Sequence, residues 1–401
     1  MNEQTREQNR QLTDEERAEY NKSLDEFREH KRQKHLQMKA LQSLPYEIKV
    51  KKAKQRIREF ISECDRLGFE THVSVGGLDS ITLLCLIRSM GIDIPAISVS
   101  VLEDKSIIRV HKELGVIMLK PLKAKHEILQ EEGFPVISKK IATKIMALQE
   151  PTEKNATIRH AIITGECGEQ GHFATNSRMK LPQKWLELFG GYENENEGTN
   201  YKTPPFRVSS KCCEIMKERP CDLWAKEHNS KPFLGLMASE GGRRQEALEE
   251  HGCNYFGKTT IRSAPFAPFL RNDLLRLAVD LNVPVPEIYG TIEQDVNGNY
   301  YTTGAQRTGC EMCGFGIHME KRPHRFDKLY DRNPKAWDYW LNKCCTDENG
   351  NKYGWGLVLD YIGVEWRQEG RQILLNEYYE QIFNHRHTRE AESNREYITD
   401  V

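Results

Sequence analysis

The sequence has no long apolar segment and almost no net charge. In its 401 residues no apolar run approaches the length of about 18 residues that a membrane helix needs. The N-terminus MNEQTREQNR is polar where a signal peptide has an apolar stretch. With 58 Lys and Arg against 59 Asp and Glu, the formal net charge is −1, which excludes binding of nucleic acid or membranes through bulk charge alone. We expect a cytoplasmic protein with no membrane partner.

From the polar N-terminus we expect no export signal, although the chain contains 11 cysteines. In a reducing compartment, clustered cysteines favour metal binding or redox chemistry over disulfides. Cys212 and Cys213 are adjacent, and Cys310 and Cys313 form a C-x-x-C pair. Four thiolates from two segments can enclose an iron–sulfur cluster. A structural zinc site and four buried thiols are the rival interpretations.

Short β-branched runs alternate with helical segments from His72 onward. The runs cover residues 72–75, 94–101, 116–119 and 233–238, and helix-like composition covers residues 79–90, 106–114, 240–250 and 270–281. Strands that alternate with helices at this interval predict a parallel sheet covered on both faces. The predicted fold class is therefore α/β, with a doubly wound parallel sheet.

The first predicted strand runs through two glycines directly into a helix. The segment reads Val73-Ser74-Val75-Gly76-Gly77-Leu78-Asp79-Ser80. Adjacent glycines lack the Cβ atoms that would keep an anion away from backbone N–H groups, and a helix N-terminus favours negative charge. Asp79 or Ser80 can cap the helix, and Ser80 can also donate to an oxyanion. The pattern predicts a phosphate-binding loop, and a tight strand-to-helix turn is the alternative.

Charged residues elsewhere extend the predicted site. In Ser239-Glu240-Gly241-Gly242-Arg243-Arg244, two arginines at the start of a helix could clamp a phosphate or a sulfate, or they could be solvated surface charges. His318 and Lys321 follow the second cysteine pair and could tune a cluster or bind substrate anions. The second vicinal pair, Cys344 and Cys345, is a candidate for a structural, redox or nucleophilic role.

The glycine segment resembles the PP-loop, SGGxDS, of adenine-nucleotide alpha hydrolases, a superfamily that includes the phosphoadenosine phosphosulfate (PAPS) reductases. That resemblance implies a doubly wound sheet and a nucleotide bound by Ser74, Gly76, Gly77, Asp79, Ser80, Glu240, Arg243 and Arg244. Val75 stands where the family has its first Ser, and Leu78 stands where many reductase-like members have Lys. Each departure removes one potential phosphate contact.

The cysteine arrangement resembles the CC…CxxC ligands of the adenylyl-sulfate (APS) reductases, which carry a 4Fe–4S cluster. Residues 211–217, KCCEIMK, resemble the family's C-C-x-x-x-K segment, whose lysine, Lys217, could tune the cluster or bind substrate. Residues 307–318, RTGCEMCGFGIH, resemble a block of PAPS reductase-like proteins. The resemblance spans residues 45–365 and implies a 4Fe–4S cofactor, with zinc as the alternative.

The resemblance implies two reactions that the sequence does not separate. A sulfonucleotide reductase needs the mobile thiolate of an E-C-G-x-H motif near its C-terminus, but this chain has no cysteine after Cys345. An ATP-using PP-loop enzyme instead delivers sulfur to tRNA or DNA, with Mg²⁺ on the phosphates and Asp79 as a possible ligand through water. The expected partners are an adenine nucleotide, an electron or sulfur donor protein, and tRNA or DNA. A non-catalytic nucleotide-binding protein with a structural metal is a third possibility.

The sequence divides into four predicted regions. They are a charged helical N-terminal extension (1–44), a PP-loop nucleotide-binding α/β domain (45–285) with a polar insertion near 187–206, an iron–sulfur and C-terminal region (286–365), and a C-terminal helix and tail (366–401).

Overall fold

The computed structural model describes residues 14–100, 103–166, 179–193, 200–310 and 312–368. The chain divides into two compact units, Met1–Gly316 and Ile317–Val401. The start of the predicted N-terminal extension, residues 194–199 of the predicted insertion and the C-terminal helix and tail beyond residue 368 lie outside the described residues. The predicted divisions at residues 44, 285 and 365 stay predictions. Within the described part, no helix is both long and apolar enough to cross a bilayer.

A six-stranded sheet forms the centre of the first unit. Its strands stand in the order β3-β2-β1-β5-β7-β6, and all neighbours are parallel except the edge strand β6. These strands are β1 (Glu70–Ser74), β2 (Ala96–Ser98), β3 (Ile117–Met118), β5 (Ser230–Leu234), β6 (Asn254–Phe256) and β7 (Ile261–Ser263). The parallel α/β sheet that the sequence predicts is thus present.

Helices connect and cover the strands of the first unit. They are α1 (Asp14–Gln42), α2 (Tyr46–Arg66), α3 (Leu78–Ser89), α4 (Lys105–Glu113), α5 (Lys125–Glu131), α6 (Lys139–Gln149), α7 (Ala156–Thr164), α8 (Gln183–Phe189), α9 (Arg219–Glu227), α10 (Gly242–His251) and α11 (Arg271–Asp280). Three short pairings complete this unit: β4 (Val136–Ile137) with β10 (Gly314–Phe315), and β8 (Ile292–Gln294) with β9 (Tyr300–Thr302) as a hairpin, beside a bridge between Phe134 and Val208.

The central strand β1 is covered on both faces. Successive side chains of a strand point to opposite faces of a sheet. Val73 belongs to the large core that α2, α3, α4 and α11 supply, where Phe60 meets Phe233 edge to face at 4.9 Å. His72, the preceding residue, instead meets Trp224 of α9 at 5.2 Å. Helices therefore pack against both faces, as a doubly wound sheet requires.

The N-terminal helix α1 docks on α10. His35 Nδ1 lies 2.7 Å from Glu249 Oε1, and His30 Nε2 lies 3.2 Å from Glu250 Oε2. Met38 is buried in a small cluster with Leu248 and alanines of the sheet edge. The described part of the predicted extension is thus helical, and its second half packs against the α/β domain.

The second unit is a small helical unit with one hairpin. Its described elements are α12 (Arg325–Arg332), α13 (Pro334–Asn342), the hairpin strands β11 (Cys345–Thr346) and β12 (Lys352–Tyr353), and α14 (Trp355–Ile362). The fully buried carboxylate of Asp327 accepts hydrogen bonds from Arg322 and from the His324 N–H. The Arg322 guanidinium opposes the effect of burial and holds the pKa of Asp327 below its usual range.

A buried ion pair joins α2 to α11. Lys49 donates to Asp273 and to the carbonyl of Gln42 (2.9 Å), and both charged side chains are buried. We expect Lys49→Met to lower the free energy of unfolding by about 3 kcal/mol, because it leaves a buried carboxylate without its cation. Urea denaturation measures this change. The exposed Lys51→Met on the same helix is the control and should change stability by less than about 0.5 kcal/mol. Equal losses of unfolding free energy in the two variants would contradict a stabilising role for the buried Lys49–Asp273 pair.

Candidate functional site

The candidate site lies where the strand order reverses direction. β2 flanks β1 on one side and β5 flanks it on the other, and such a switch opens a crevice outside the carboxyl ends of the strands. Ser74 at the end of β1, residues 76–80 after it and residues 234–236 at the end of β5 line a cleft of about 820 Å³. The order of the strands therefore positions the predicted phosphate-binding loop at the cleft.

Ser80 holds the glycine loop in shape. The Gly76 N–H donates to Ser80 Oγ at 2.7 Å, and that hydroxyl donates to the Gly77 carbonyl at 2.9 Å. The hydroxyl proton that we expected to reach an oxyanion is thus used within the loop. Both departures from the family pattern, Val75 and Leu78, place their side chains in the apolar core. Hydrophobic side chains at these two positions therefore stabilise the fold beneath the loop.

Tyr289 covers the start of α3. The Leu78 N–H donates to Tyr289 Oη at 3.1 Å, and this hydroxyl lies 2.7 Å from Thr308 Oγ1. Burial raises the pKa of Tyr289. A Cβ added to Gly77 would lie 2.5 Å from Tyr289 Oη, although the φ of −81° at Gly77 suits any residue. Glycine is therefore required here for space, and this contact could not be predicted because Tyr289 is 211 positions from Leu78.

His111 of α4 contacts the loop from inside the protein. Its Nε2 lies 2.8 Å from the Gly76 carbonyl, and its Nδ1 lies 2.9 Å from Ser100 Oγ. Burial lowers the pKa of His111, so the ring is neutral near pH 7. The sequence does not reveal this role, because a lone histidine on a helix belongs to no motif.

Cations outnumber anions around the cleft. Five cationic and three acidic side chains line it, which gives a formal charge of 5 − 3 = +2. Such a cleft attracts anions, and arginine binds phosphate and sulfate groups particularly well. The cations are Lys139, Arg243, Arg244, Arg271 and Arg307, and the acids are Asp79, Glu103 and Glu240.

Two carboxylates hold three of these arginines in place. Asp79 pairs with Arg271, and Glu240 pairs with Arg244 and lies 3.9 Å from Arg307. Burial raises the pKa of Asp79, an effect that Arg271 opposes. The structure thus brings together the predicted residues from the loop and from the start of α10. It adds Arg271 and Arg307, to which the sequence analysis gave no role in binding.

The four predicted cluster ligands lie close enough together to influence one another's charge. Cys212 and Cys213 precede a π-helical turn, Glu214–Glu218, and Cys310 and Cys313 precede β10. Burial raises the pKa of Cys213 to about 12, and the other three thiols add to this rise. Within the described residues, however, no three His, Cys, Asp or Glu side chains are arranged to hold a metal ion together. The thiols are therefore neighbours, but the structure does not display a metal centre.

Two lysines connect these thiols with the cleft. Lys217 pairs with Glu103, which lines the cleft, and also hydrogen-bonds to Cys310. Burial opposes the charged form of Lys217, but Glu103 and Cys310 outweigh it and raise the pKa. Lys139 lines the cleft as well, and its charge opposes the rise in the pKa of Cys213. Thiols and cleft are adjacent within the first unit.

The remaining candidates belong to the second unit. Cys344 and Cys345 are buried, their Sγ atoms are 3.9 Å apart, and Cys344 Sγ donates to the Trp340 carbonyl at 3.3 Å. Hydrogen bonding with Cys345 and burial raise the pKa of Cys344, whereas the same hydrogen bond lowers the pKa of Cys345 against the effect of burial. A buried thiol of raised pKa such as Cys344 is a poor nucleophile, and burial keeps Cys345 out of reach of a substrate. His318 and Lys321 also fall in this unit, and their predicted roles stay predictions.

Comparisons with known proteins identify one similar solved structure. No protein-family model and no curated protein matches the chain. The crystal structure of phosphoadenylyl-sulfate (PAPS) reductase from Candida auris, in a phosphate complex, is similar at 11% sequence identity and a TM-score of 0.30. The match covers 65% of this chain and 93% of that chain. At this TM-score the likeness supports no argument about fold or function. The fold and the proposed function therefore depend on the chain's own residues.

The close contact between Gly77 and Tyr289 gives a test of the loop geometry. We expect Gly77→Ala to cost about 2 kcal/mol of folding stability through overpacking, and we expect Tyr289→Phe to reduce that cost because it removes the clashing oxygen. Urea unfolding of the two single variants and the double variant measures the coupling. Gly76→Ala is the control, because its nearest contact would be Ser80 Oγ at 3.8 Å. An equal cost of Gly77→Ala in both backgrounds would refute the contact.

Proposed function

We propose that this chain is an enzyme of sulfur metabolism that acts on an adenine nucleotide and carries a 4Fe–4S cluster. The nucleotide is APS, PAPS or ATP, and its phosphates lie in the cleft at the carboxyl ends of β1 and β5. The observation that carries the proposal is the cationic cleft that begins at the glycine loop. The adenine specificity rests on the resemblance of that loop to the PP-loop.

The cleft has the parts that phosphate binding needs. The loop enters α3 at its N-terminus, where the backbone and the helix dipole favour negative charge. Arg271 and Arg244 are held at the cleft by carboxylates, so an anionic ligand finds their guanidinium groups already oriented. Tetrahedral oxyanions of the phosphate and sulfate type suit such a cleft better than a neutral metabolite does.

The chemistry of the four cysteines suits an iron–sulfur cluster. Four thiols from two segments lie close enough to affect one another's charge, and Lys217 supplies a positive charge beside them. A 4Fe–4S cluster would be held by Cys212, Cys213, Cys310 and Cys313. When bound, it would supply electron-transfer capacity next to the substrate. Zinc on the same four thiols is the alternative cofactor.

Sulfur transfer driven by ATP is the second candidate reaction. Sulfonucleotide reduction needs an accessible thiolate, whereas Cys344 and Cys345 are buried. This burial favours an enzyme that uses ATP, with Mg²⁺ near Asp79 and a tRNA or DNA acceptor. Asp79 is paired with Arg271, so a metal ion there would compete with an ion pair. A nucleotide-binding protein without catalysis is the third candidate.

Product analysis separates these reactions. Anaerobically purified full-length protein is given APS, PAPS or ATP with a small dithiol, and sulfite and pyrophosphate are measured. Sulfite from a sulfonucleotide establishes a reductase, and pyrophosphate from ATP establishes the second candidate. Nucleotide binding without either product supports the third. Absence of binding by all three nucleotides would refute the proposed function.

Arg271→Gln tests the cleft itself. We expect nucleotide affinity to fall at least about tenfold, because one charge-assisted hydrogen bond contributes about 1.5–3 kcal/mol. Arg276→Gln on the same helix is the matched control, since Arg276 pairs with Glu47 and does not line the cleft. Isothermal titration measures both affinities. If the two variants bind equally well, the ligand does not contact Arg271.

The cluster assignment has its own test. Cys310→Ala should remove most of the iron and sulfide from anaerobically purified protein, together with its brown colour, because a cubane needs its four ligands. Cys85→Ala on α3 is the control and should keep both. Unchanged iron and sulfide in Cys310→Ala, or zinc in place of iron in the unmodified protein, would overturn the assignment.

A further inference from the structure

We propose that His111 is a positioning residue, which turns the Gly76–Gly77 peptide so that the Gly77 N–H faces the cleft and donates to an anionic oxygen of the ligand. The inference deepens the proposed function, because it assigns the donor that the loop offers to a bound phosphate or sulfate. Neither the motif nor the charge of the cleft points to this histidine. It follows from the direction of one hydrogen bond.

The contact between His111 and Gly76 can run in one direction only. A carbonyl oxygen accepts and never donates, so His111 Nε2 must carry the proton across the 2.8 Å to the Gly76 oxygen. In the neutral ring Nδ1 then has a free lone pair and accepts from Ser100 Oγ at 2.9 Å. Ser100 Oγ in turn lies 2.7 Å from Ser98 Oγ. The Gly76 carbonyl thus sets the tautomer, and the buried serine hydroxyls satisfy the remaining ring nitrogen.

Because the peptide is planar, the direction of the Gly76 C=O also sets the direction of the Gly77 N–H. In a trans peptide the C=O of one residue and the N–H of the next point opposite ways. His111 is fully buried and is absent from the cleft lining, whereas Gly76 and Gly77 both line the cleft. The Gly76 oxygen therefore points into the protein, and the Gly77 N–H points towards the cleft.

The neighbouring amides are already engaged. The Gly76 N–H donates to Ser80 Oγ, and the Leu78 N–H donates to Tyr289 Oη. The Gly77 N–H, by contrast, meets no acceptor in the part of the chain that the structure describes. Of these three consecutive donors, Gly77 is the one left for a ligand. The loop is thus held on both sides, by His111 below and Tyr289 above, with one donor presented between them.

Two substitutions of His111 separate this role from simple packing. The side-chain amide nitrogen of Gln reaches about as far as imidazole Nε2, so His111→Gln keeps a donor for the Gly76 oxygen. Asn reaches only as far as Nδ1, so His111→Asn keeps a partner for Ser100 and loses the contact with Gly76. His72→Asn is the matched control for stability, because His72 is equally buried, contacts Ser230 Oγ at 2.7 Å and does not line the cleft.

Affinity for ATP and for PAPS, by titration of the full chain, gives the first readout. We expect His111→Asn to weaken binding about tenfold, the worth of one hydrogen bond to a charged group. We expect His111→Gln to bind within about threefold of the unmodified protein and His72→Asn to bind like it. Equal weakening in the Gln and Asn variants, or no weakening in either, would overturn the role of His111.

A second readout does not depend on binding. Protein labelled with ¹³C′- and ¹⁵N-glycine gives carbonyl–amide correlations only at Gly–Gly pairs, which occur at 76–77, 190–191 and 241–242. Gly76→Ala and Gly241→Ala each delete one signal and so assign all three. We expect His111→Asn to shift the Gly77 signal and His111→Gln to restore it, with the Gly191 signal unchanged. If the Gly77 signal has the same position in His111→Asn, His111→Gln and the unmodified protein, the proposal is refuted.

The two readouts distinguish two failures. If the unmodified protein binds none of APS, PAPS and ATP but the Gly77 signal follows His111, the proposed function fails and the positioning role stands. If nucleotides bind and shift other signals but leave Gly77 unmoved, the cleft is occupied and the assigned donor is wrong.

Discussion

The parallel pairing of β1 with β5 is the constraint on which the rest of the structure depends. Five residue pairs, from Glu70 with Ser230 to Ser74 with Leu234, bring the ends of the two strands to the same level. The loop after β1 then faces the loop after β5 across a narrow gap. A Cβ on Gly235 would lie 2.8 Å from the Ser80 backbone, so the loop after β5 and the first turn of α3 meet as closely as glycine permits. The cleft is the space that remains above this contact.

Local patterns predicted the elements around this pairing better than they predicted the site. The β-branched run at residues 72–75 and the glycine loop after it are local signals, and the structure has strand β1 and a loop there. The strand predicted at residues 233–238 is β5, Ser230–Leu234, because its ends are set by pairing with β1 and not by its own composition. Asp79 and Glu240 were found through motifs. Tyr289 and His111 were not, because chain distance separates each from the loop that it contacts.

The cysteines show what sequence spacing can predict and what it cannot. Their spacing predicted four thiols in one place, and the structure brings the two pairs into one electrostatic neighbourhood beside the cleft. Spacing could not predict Lys217 as the link between a cleft carboxylate and Cys310, since that link depends on how the segment of Glu103 packs. Glu103 in the cleft and Cys310 among the thiols therefore both stabilise the charge of Lys217.

The long connection from β3 to β5 also has a consequence for how the chain reaches this structure. Glu70 and its partner Ser230 are 230 − 70 = 160 positions apart, whereas β1 meets β2 after about twenty residues. Contacts of such large sequence separation form slowly, because loop closure costs entropy before the pairing repays it. During synthesis, one edge of β1 therefore stays open while more than a hundred further residues emerge. The cleft therefore forms late, after β5 has emerged. Until then the open edge of β1 is a template for wrong pairings, which exposes the chain to aggregation.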